Sequence, residues 1–462
     1  MPLKQPKQSI NSLADLRRSA IKAHQNNDLE QARARYRIYL KNNPEDAAMW
    51  SNLGALFRTQ KNYDMAVAAQ IRALELAPGA PTLMNNAANA FYDAGQIEKA
   101  LKLREKIIAL EPDNPDHYAS LGKCYRGVHQ LDKARNILNQ GIEKFPDFAE
   151  SHIQLAFVQL AMGHYPQGFK SFNWRWQGDE LSPPDFTCPQ WAGEPLKGKT
   201  LTIIPEQGFG DTVLMARFLP ALNQQGATLK MAVKPPLRRL FSNIESFVEF
   251  VDTNPSRKNS DYWAPMMDLP LYLNATLATL PKPTSLFIPD DATKRARRIT
   301  APYQDRFKLG VMWSGSVTYR ANHKRSFSHR CFLELCDIPG LQMFSLYKGP
   351  LLPEFDADGT SAIIVNAAAS DRDFADTAAL MRALDLVVTM DSAVAHIAGS
   401  LGIEVWNLLH SEAYWLYEPY PDHTPWYPSM RLVRQKKSGD WDGVFKILHT
   451  DITTRIADKA QT

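Results

Sequence analysis

Three stretches of this 462-residue chain combine residue types that could do chemistry. In IIPEQGFGDTVLMARFLPAL (203–222), a strand-like apolar run meets Gly208 and Gly210, then Asp211 and a helical pattern. Strand, glycine turn and helix start suit a negatively charged ligand held at a helix N-terminus. Asp211 is there a cap or a reagent: aspartate accepts the free N–H groups of a first turn, and a well-placed carboxylate takes a proton from a hydroxyl. In DLVVTMDSAVAHIAGSLG (385–402), a buried strand should end at Met390, and Asp391, Ser392 and Ala393 begin a helix of small residues. Small side chains let a phosphate reach the backbone donors of that first turn, and His396 lies about one turn further on. The same pattern also suits an Asp cap before a packed helix with a satisfied histidine. In GVMWSGSVTYRANHKRSF (310–327), a strand end supplies Trp313, Ser314 and Gly315 as candidate ligand-binding residues, followed by Arg320, His323, Lys324 and Arg325. That basic cluster either neutralises a phosphate or diphosphate or lies exposed as a charged loop.

The elements that would position these residues alternate in type. TLTII, LKMAV and FVEFV read as strands of one αβ series. After the charged segment PDDATKRARRI comes a second series with KLGVMW, QMFSLY, AIIVNA, DLVVTM and VWNLL, and with helices DFADTAALMRAL and SAVAHIAGSLG. Such alternation predicts two parallel sheets covered by helices, with a cleft lined by loops at the carboxyl ends of strands.

The first third is a repeat. Pro44, Pro78, Pro112 and Pro146 stand 34 residues apart, as do Ala32, Ala66, Ala100 and Ala134. This is the tetratricopeptide (TPR) period, one helix pair per repeat, and it predicts an α-solenoid. Trp50, Leu53, Gly54 and Phe57 fit its first-helix pattern, as do Tyr118, Leu121, Gly122 and Tyr125. A fifth, incomplete repeat begins near Ala149 and runs into GFKSFNWRWQG, whose Phe169, Phe172, Trp174 and Trp176 would cap the stack. The expected domains are the repeat array over 10–180, a first Rossmann-like lobe over 181–295 and a second over 296–462. A concave solenoid face binds protein or peptide partners; a rigid arm or dimerisation device is the alternative.

Several tempting motifs fail on context. GEPLKGKT (193–200) matches the phosphate-loop pattern but precedes a strand, whereas that loop must follow one and open a helix. The turn at Gly208 lacks the third glycine of a dinucleotide fingerprint, since Val213 stands there. DADG (356–359) would be a calcium loop only with a glutamate where Ala367 falls, and reads as a solvated turn. Cys124, Cys188, Cys331 and Cys336 show neither zinc nor disulfide spacing. No metal or cofactor is expected. With 53 basic and 49 acidic residues the charge is nearly balanced, which gives no argument for nucleic acid. The N-terminus lacks the apolar core of a signal peptide, and no apolar run approaches the ~20 residues that span a bilayer. A cytoplasmic location is expected.

EQGFGDTVLMARFLPAL, GVMWSG, RSF, DFADTAALMRALDLVVTMDSAVAHIAGSLG and PWYPSMRLVRQ, in that order behind the repeats, resemble the bacterial TPR-containing glycosyltransferases. Their catalytic part is similar to the ADP-heptose:lipopolysaccharide heptosyltransferases, with two Rossmann-like lobes in a GT-B arrangement. The resemblance implies Asp211 as base and a donor phosphate on Asp391, Ser392, Ala393 and His396. It also implies phosphate contacts from Lys324 and Arg325. The donor would be a CMP-, UDP-, GDP- or ADP-linked sugar; some relatives glycosylate flagellin from CMP-activated nonulosonic acids. The reaction it implies moves the sugar, without a divalent ion, to a protein acceptor on the TPR concave face. One stretch departs from the family: after VWNLL, HSEAYWLY (410–417) replaces the expected DWRW-like segment and its arginine. That departure keeps open the alternative of a TPR adaptor whose GT-B part does not turn over.

Overall fold

The computed structural model describes residues 12–178, 181–182, 184–206, 208–252, 260–319 and 321–461, and the chain divides into two compact units, Met1–Leu155 and Ala156–Thr462. The first unit is a stack of antiparallel helix pairs: α1 (Leu13–Gln25) with α2 (Leu29–Asn42), α3 (Ala47–Thr59) with α4 (Tyr63–Leu76), α5 (Pro81–Asp93) with α6 (Ile97–Leu110), and α7 (Pro115–Gly127) with α8 (Leu131–Lys144). Ala32, Ala66, Ala100 and Ala134 all have no exposure, so each phased alanine is where paired helices touch. At Gly122 a methyl group would lie 2.5 Å from Leu138 Cγ, which explains why that position of the first helix is small. Ser12, Asp28, Asp46, Asn62 and Asn114 accept N–H bonds at helix starts, as capping chemistry requires. The four phased prolines follow the ends of α2, α4, α6 and α8.

Helix α9 (Ala149–Ala161) leads into α10 (Tyr165–Phe172), and the second unit continues into an α/β region with two sheets. The first sheet holds β1 (Thr200–Ile204), β2 (Thr228–Ala232), β3 (Val248–Val251) and β4 (Tyr262–Pro265) in the order β3-β2-β1-β4, all parallel. Around it run α11 (Phe209–Met215), α12 (Leu219–Gln224), α13 (Pro235–Arg238) and α14 (Leu269–Tyr272). Then α15 (Asp290–Thr300) leads to β5 (Phe307–Val311), α16 (Asn322–Arg325), β6 (Leu341–Ser345), α17 (Leu352–Ala357), β7 (Ile364–Val365) and α18 (Phe374–Arg382). The chain closes with β8 (Leu386–Met390), α19 (Ala393–Ser400), β9 (Val405–Leu409), β10 (His423–Thr424), β11 (Tyr427–Arg434) and α20 (Trp441–Gln461). The second sheet runs β10-β11-β9-β8-β5-β6-β7, parallel except for the β10–β11 edge pair. Its inner strands β8 and β9 are buried at every residue, hence their mostly apolar character, with Thr389 and Asn407 the polar exceptions.

Every strand expected from the sequence is present, within a residue or two. Three others, YWAP at β4, the two residues of β10 and the eight of β11, escaped the alternation. The charged PDDATKRARRI segment is a helix, α15, with Asp290 and Asp291 in its first turn and Arg297 and Arg298 in its last. That order of charge complements the helix dipole. GEPLKGKT lies ahead of β1; Gly198 takes φ +72 in a turn, and Lys199 Nζ lies 3.1 Å from Asp261 Oδ1. DADG is the end of α17 and the turn after it, anchored more firmly than a solvated turn: Asp358 accepts from His329 Nε2 and Arg330 Nε, both at 2.7 Å.

The aromatic tail of the fifth repeat packs on the α/β region of its own unit. Tyr165 and Phe169 face the ring of Trp415, and Trp426 Nε1 donates to Tyr165 Oη at 2.7 Å. Between Trp174 and Trp176, Arg175 is buried. Its Nε lies 2.7 Å from Glu206 Oε2 and its Nη2 lies 2.6 Å from Asp268 Oδ1. The remaining carboxylate oxygens accept from Met267 N–H and Gln190 Nε2. One cation and two acids are thus fully paired at the carboxyl ends of β1 and β4.

Candidate functional site

The glycine turn after β1 and the helix start after β8 come together. Helices α11 and α19 pack on one another, and a methyl group on Gly210 would lie 2.6 Å from His396 Cδ2 and 3.5 Å from Ala393 Cα. Gly210 is therefore small so that two helix starts can touch. Gly208 is exposed, with φ −73, and a methyl there would meet only ordinary contacts. Gln207 and Arg320 lie outside the described residues.

Asp211 occupies the third position of α11 and splits its two oxygens. Oδ2 accepts the Gly208 N–H at 3.0 Å, which is the capping role. Oδ1 faces the hydroxyl of Tyr414 at 3.4 Å. Burial is the main cause that pushes its carboxyl up to about 6; the nearby Asp391 adds to this, while the Gly208 N–H and Arg325 oppose it. Asp391 is raised for the same first reason, with Arg325 pulling the other way. A carboxylate titrating near 6 is charged at neutral pH, yet basic enough to take a proton from a hydroxyl.

On the other side, Ser392 is the N-cap of α19 and shares a hydrogen bond with Thr389 Oγ1 at 3.1 Å, not with its own helix. His396 is buried, with Nδ1 3.0 Å from Tyr427 Oη. Burial, then the cations Arg217 and Arg325, push its ring down to about 3, so it is neutral at physiological pH. Arg217 itself is buried with no carboxylate partner among the described residues: two of its nitrogens donate to Trp426 O at 3.2 Å, and it lies over the Tyr427 ring.

The basic residues are present but engaged. Lys324 Nζ lies 2.9 Å from Glu412 Oε1. Arg325 Nη1 lies 3.6 Å from Asp391 Oδ2, with its guanidinium over the Tyr319 ring. Ser314 and Gly315 support them: Asn322 Nδ2 donates to Ser314 Oγ at 3.1 Å, and a methyl on Gly315 would meet Arg325 Nη2 at 3.0 Å. Trp313 does not join this group. Its ring is 1% exposed and stacks between Tyr347 and Phe355 in the core of the second sheet, so a donor-binding contact from that ring is corrected to core packing. His323 is exposed.

Sequence reasoning missed Tyr414 and Tyr417, although it had singled out HSEAYWLY as unusual. It also missed the buried trio Arg175, Glu206 and Asp268. An arginine between two tryptophans and an acid directly before a glycine turn were the available signals. The two sheet regions also meet through Phe209 against Phe374, with ring centroids 5.0 Å apart, and through Arg239, which bonds Asp291 and Asp373 and approaches Asp376 at 3.4 Å. A cavity of about 490 Å³ lined by Arg217, Asn243, Ile244 and Thr284, among others, does not include Asp211 or Asp391. The candidate site therefore rests on side-chain chemistry and not on cavity size. Among the described residues no group of three or more His, Cys, Asp or Glu is placed to hold a metal ion, and no helix is long and apolar enough to cross a membrane.

A tetratricopeptide repeat model matches residues 20–81. The chain contains tetratricopeptide repeats. It is 27% identical over 430 residues to Protein FlbA of Caulobacter vibrioides, covering 87% of this chain and 66% of that one. The BBSome complex member BBS4 homolog of Drosophila melanogaster is 25% identical over 108 residues, covering 23% and 22%. The chain thus spans less than two thirds of the length of these relatives. The FlbA match covers too much of the chain to be confined to the repeats. Among solved structures, MamA from Desulfovibrio magneticus RS-1 is 19% identical, covering 36% of this chain and 94% of that one, with a TM-score of 0.34. YrrB, described as a TPR protein with an unusual peptide-binding site, is 16% identical, covering 36% and 86%, with a TM-score of 0.32.

Proposed function

We propose that the α/β region is a two-lobed, GT-B-type glycosyltransferase that works in the cytoplasm, on a protein acceptor recruited by the repeat array. In this reading the donor is a nucleotide-activated sugar, with CMP, UDP, GDP or ADP as carrier, and flagellin is the acceptor the family resemblance suggests. The observation that carries the reading is the contact of the two helix starts, Gly210 against Ala393 and His396, with Asp211 in the field of Asp391, at the carboxyl ends of β1 and β8. Loops at strand carboxyl ends are where α/β sheets place ligands. Asp211 takes the proton from the acceptor hydroxyl as its oxygen attacks the anomeric carbon, and the bond from that carbon to the donor phosphate breaks. The phosphate leaves with the electron pair, and its charge is met by the start of α19 and by Arg325 and Lys324. Both cations are paired with acids in the unliganded protein, so donor binding exchanges Glu412 and Asp391 for phosphate as their partners.

Those same ion pairs favour a second reading, a TPR adaptor whose α/β region binds without turnover. Thermal denaturation with a panel of CMP-, UDP-, GDP- and ADP-linked sugars separates the proposal from a fold that takes no donor, because a bound ligand raises apparent stability. Donor hydrolysis or transfer by the wild type, abolished in Asp211→Asn, then separates enzyme from adaptor. No stabilisation by any donor would remove the glycosyltransferase reading.

A further inference from the structure

Tyr417 is buried, with no exposure of its side chain, and its hydroxyl has no hydrogen-bond partner among the described residues. A buried hydroxyl left unpaired costs stability that phenylalanine in its place would not. Its surroundings are polar: its ring lies 6.5 Å from that of His396, and its hydroxyl is within the field of Asp391 and Asp211.

The segment that carries it is held from several sides. His410 Nδ1 accepts the Glu412 N–H at 3.0 Å, which leaves the proton on Nε2 to donate to Ser438 Oγ. Tyr417 N–H donates to Tyr414 O at 2.9 Å, and Arg434 Nη2 donates to Tyr417 O at 2.8 Å. Trp415, between the two tyrosines, is clamped among Tyr165, Phe169 and Trp426. One phenol hydroxyl therefore reaches Asp211 at 3.4 Å, while the other lies within the field of Asp391 and Asp211 with no hydrogen-bond partner among the described residues.

We propose that Tyr414 and Tyr417 form the subsite for the glycosyl unit of the donor: Tyr417 bonds a sugar hydroxyl that Asp391 also holds, and Tyr414 keeps Asp211 turned toward the same place. The chemistry selects a hydroxyl-rich ligand. Carboxylates only accept hydrogen bonds, whereas a phenol both donates and accepts, so a group of sugar hydroxyls satisfies both. A phosphate in that spot would face two acids. The inference rests on the glycosyltransferase reading and assigns to HSEAYWLY the recognition of the sugar, with Tyr417 a specificity-determining residue and Tyr414 a positioning residue.

The test compares the full chain with Tyr417→Phe and Tyr414→Phe, using UDP-N-acetylglucosamine, CMP-N-acetylneuraminate, GDP-mannose and ADP-glucose against bare UDP, CMP, GDP and ADP. Tyr417→Phe should leave the melting temperature of the free protein unchanged or slightly raised. It should keep bare-nucleotide affinity within about twofold, and it should weaken the bound sugar nucleotide by about tenfold or more. Tyr414→Phe should move the apparent pKa of transfer with little change in donor affinity. Equal weakening of sugar nucleotide and bare nucleotide, with a lower melting temperature, would make Tyr417 a packing residue and overturn the inference. Unchanged sugar-nucleotide affinity in Tyr417→Phe overturns it while leaving the glycosyltransferase reading standing. A wild type that binds none of the probes removes both.

Discussion

Gly210 lies against His396 so closely that its missing side chain is what lets the two helix starts meet: a methyl there would come within 2.6 Å of the imidazole. His396 cannot yield easily, being buried and bonded to Tyr427. Gly210→Ala should therefore cost about 1–3 kcal/mol, as over-packing does. Gly208→Ala should change stability by less than about 1 kcal/mol, because its backbone is ordinary and its surroundings are open. Urea unfolding of both variants checks the contrast; equal losses would mean that the closeness of α11 and α19 is not what the glycine serves.

Asp211→Asn should fold. Asparagine still accepts the Gly208 N–H, and it caps about as well as aspartate. Because the folded carboxyl titrates near 6, above the unfolded value of 3.8, its protonated form stabilises the native state. That contribution is full below about pH 4 and is lost as pH rises through 6. The variant should accordingly gain on the wild type between pH 4 and pH 7, by on the order of 1–3 kcal/mol. Transfer by the wild type should rise with pH through about 6, and the variant should lose roughly 10²–10⁴-fold of it. A pH-independent stability difference would show that the carboxyl is not desolvated.

Arg175→Ala should be among the most damaging single changes, since it leaves Glu206 and Asp268 buried without their cation. The expected loss is about 3–5 kcal/mol. Arg175→Lys should rescue little, because one ammonium does not reproduce the two-armed contact. Tryptophan fluorescence during denaturation reads it through Trp176, whose ring Arg175 covers; near wild-type midpoints for Arg175→Ala would refute the account.

Lys199→Ala should leave nucleotide affinity within about twofold, since Lys199 pairs with Asp261 on an exposed turn and an exposed pair is worth about 0–1 kcal/mol. Titration of ATP and GTP into the variant is sufficient. A tenfold loss would revive the phosphate-loop reading of GEPLKGKT.

The parts of this molecule that were legible in the sequence are those whose physics is local. The 34-residue phase of Ala32, Ala66, Ala100 and Ala134 reports helix contacts within each repeat, and the largely apolar run of β8 reports burial on both faces. The glycine turn at Gly210 and the small-residue helix start at Ala393 stand out in the sequence; that they touch each other shows only in the fold. Trp313 was misread because a strand end supplies both core and site residues, and only the stacking of Tyr347 and Phe355 decides between them. Arg175 pairs with acids 31 and 93 residues away, and Tyr414 meets Asp211 203 residues away, so no window of sequence contains either pair. The engagement of Lys324 by Glu412 is of the same long-range kind.

The contacts of Tyr165, Phe169 and Arg175 bear on how such a protein could be assembled from parts over evolutionary time. A gene fusion or crossover that traded one repeat arm for another could break the chain between α8 and α9 and leave these residues with their partners. A breakpoint near residue 180 would carry off Arg175 and strand two acids inside the remaining half, and would strip Trp415 and Trp426 of their aromatic cover. The last helical pair is thus heritable with the α/β region, whatever the number of repeats ahead of it. Arms of different length should be interchangeable among relatives only when the junction respects that boundary.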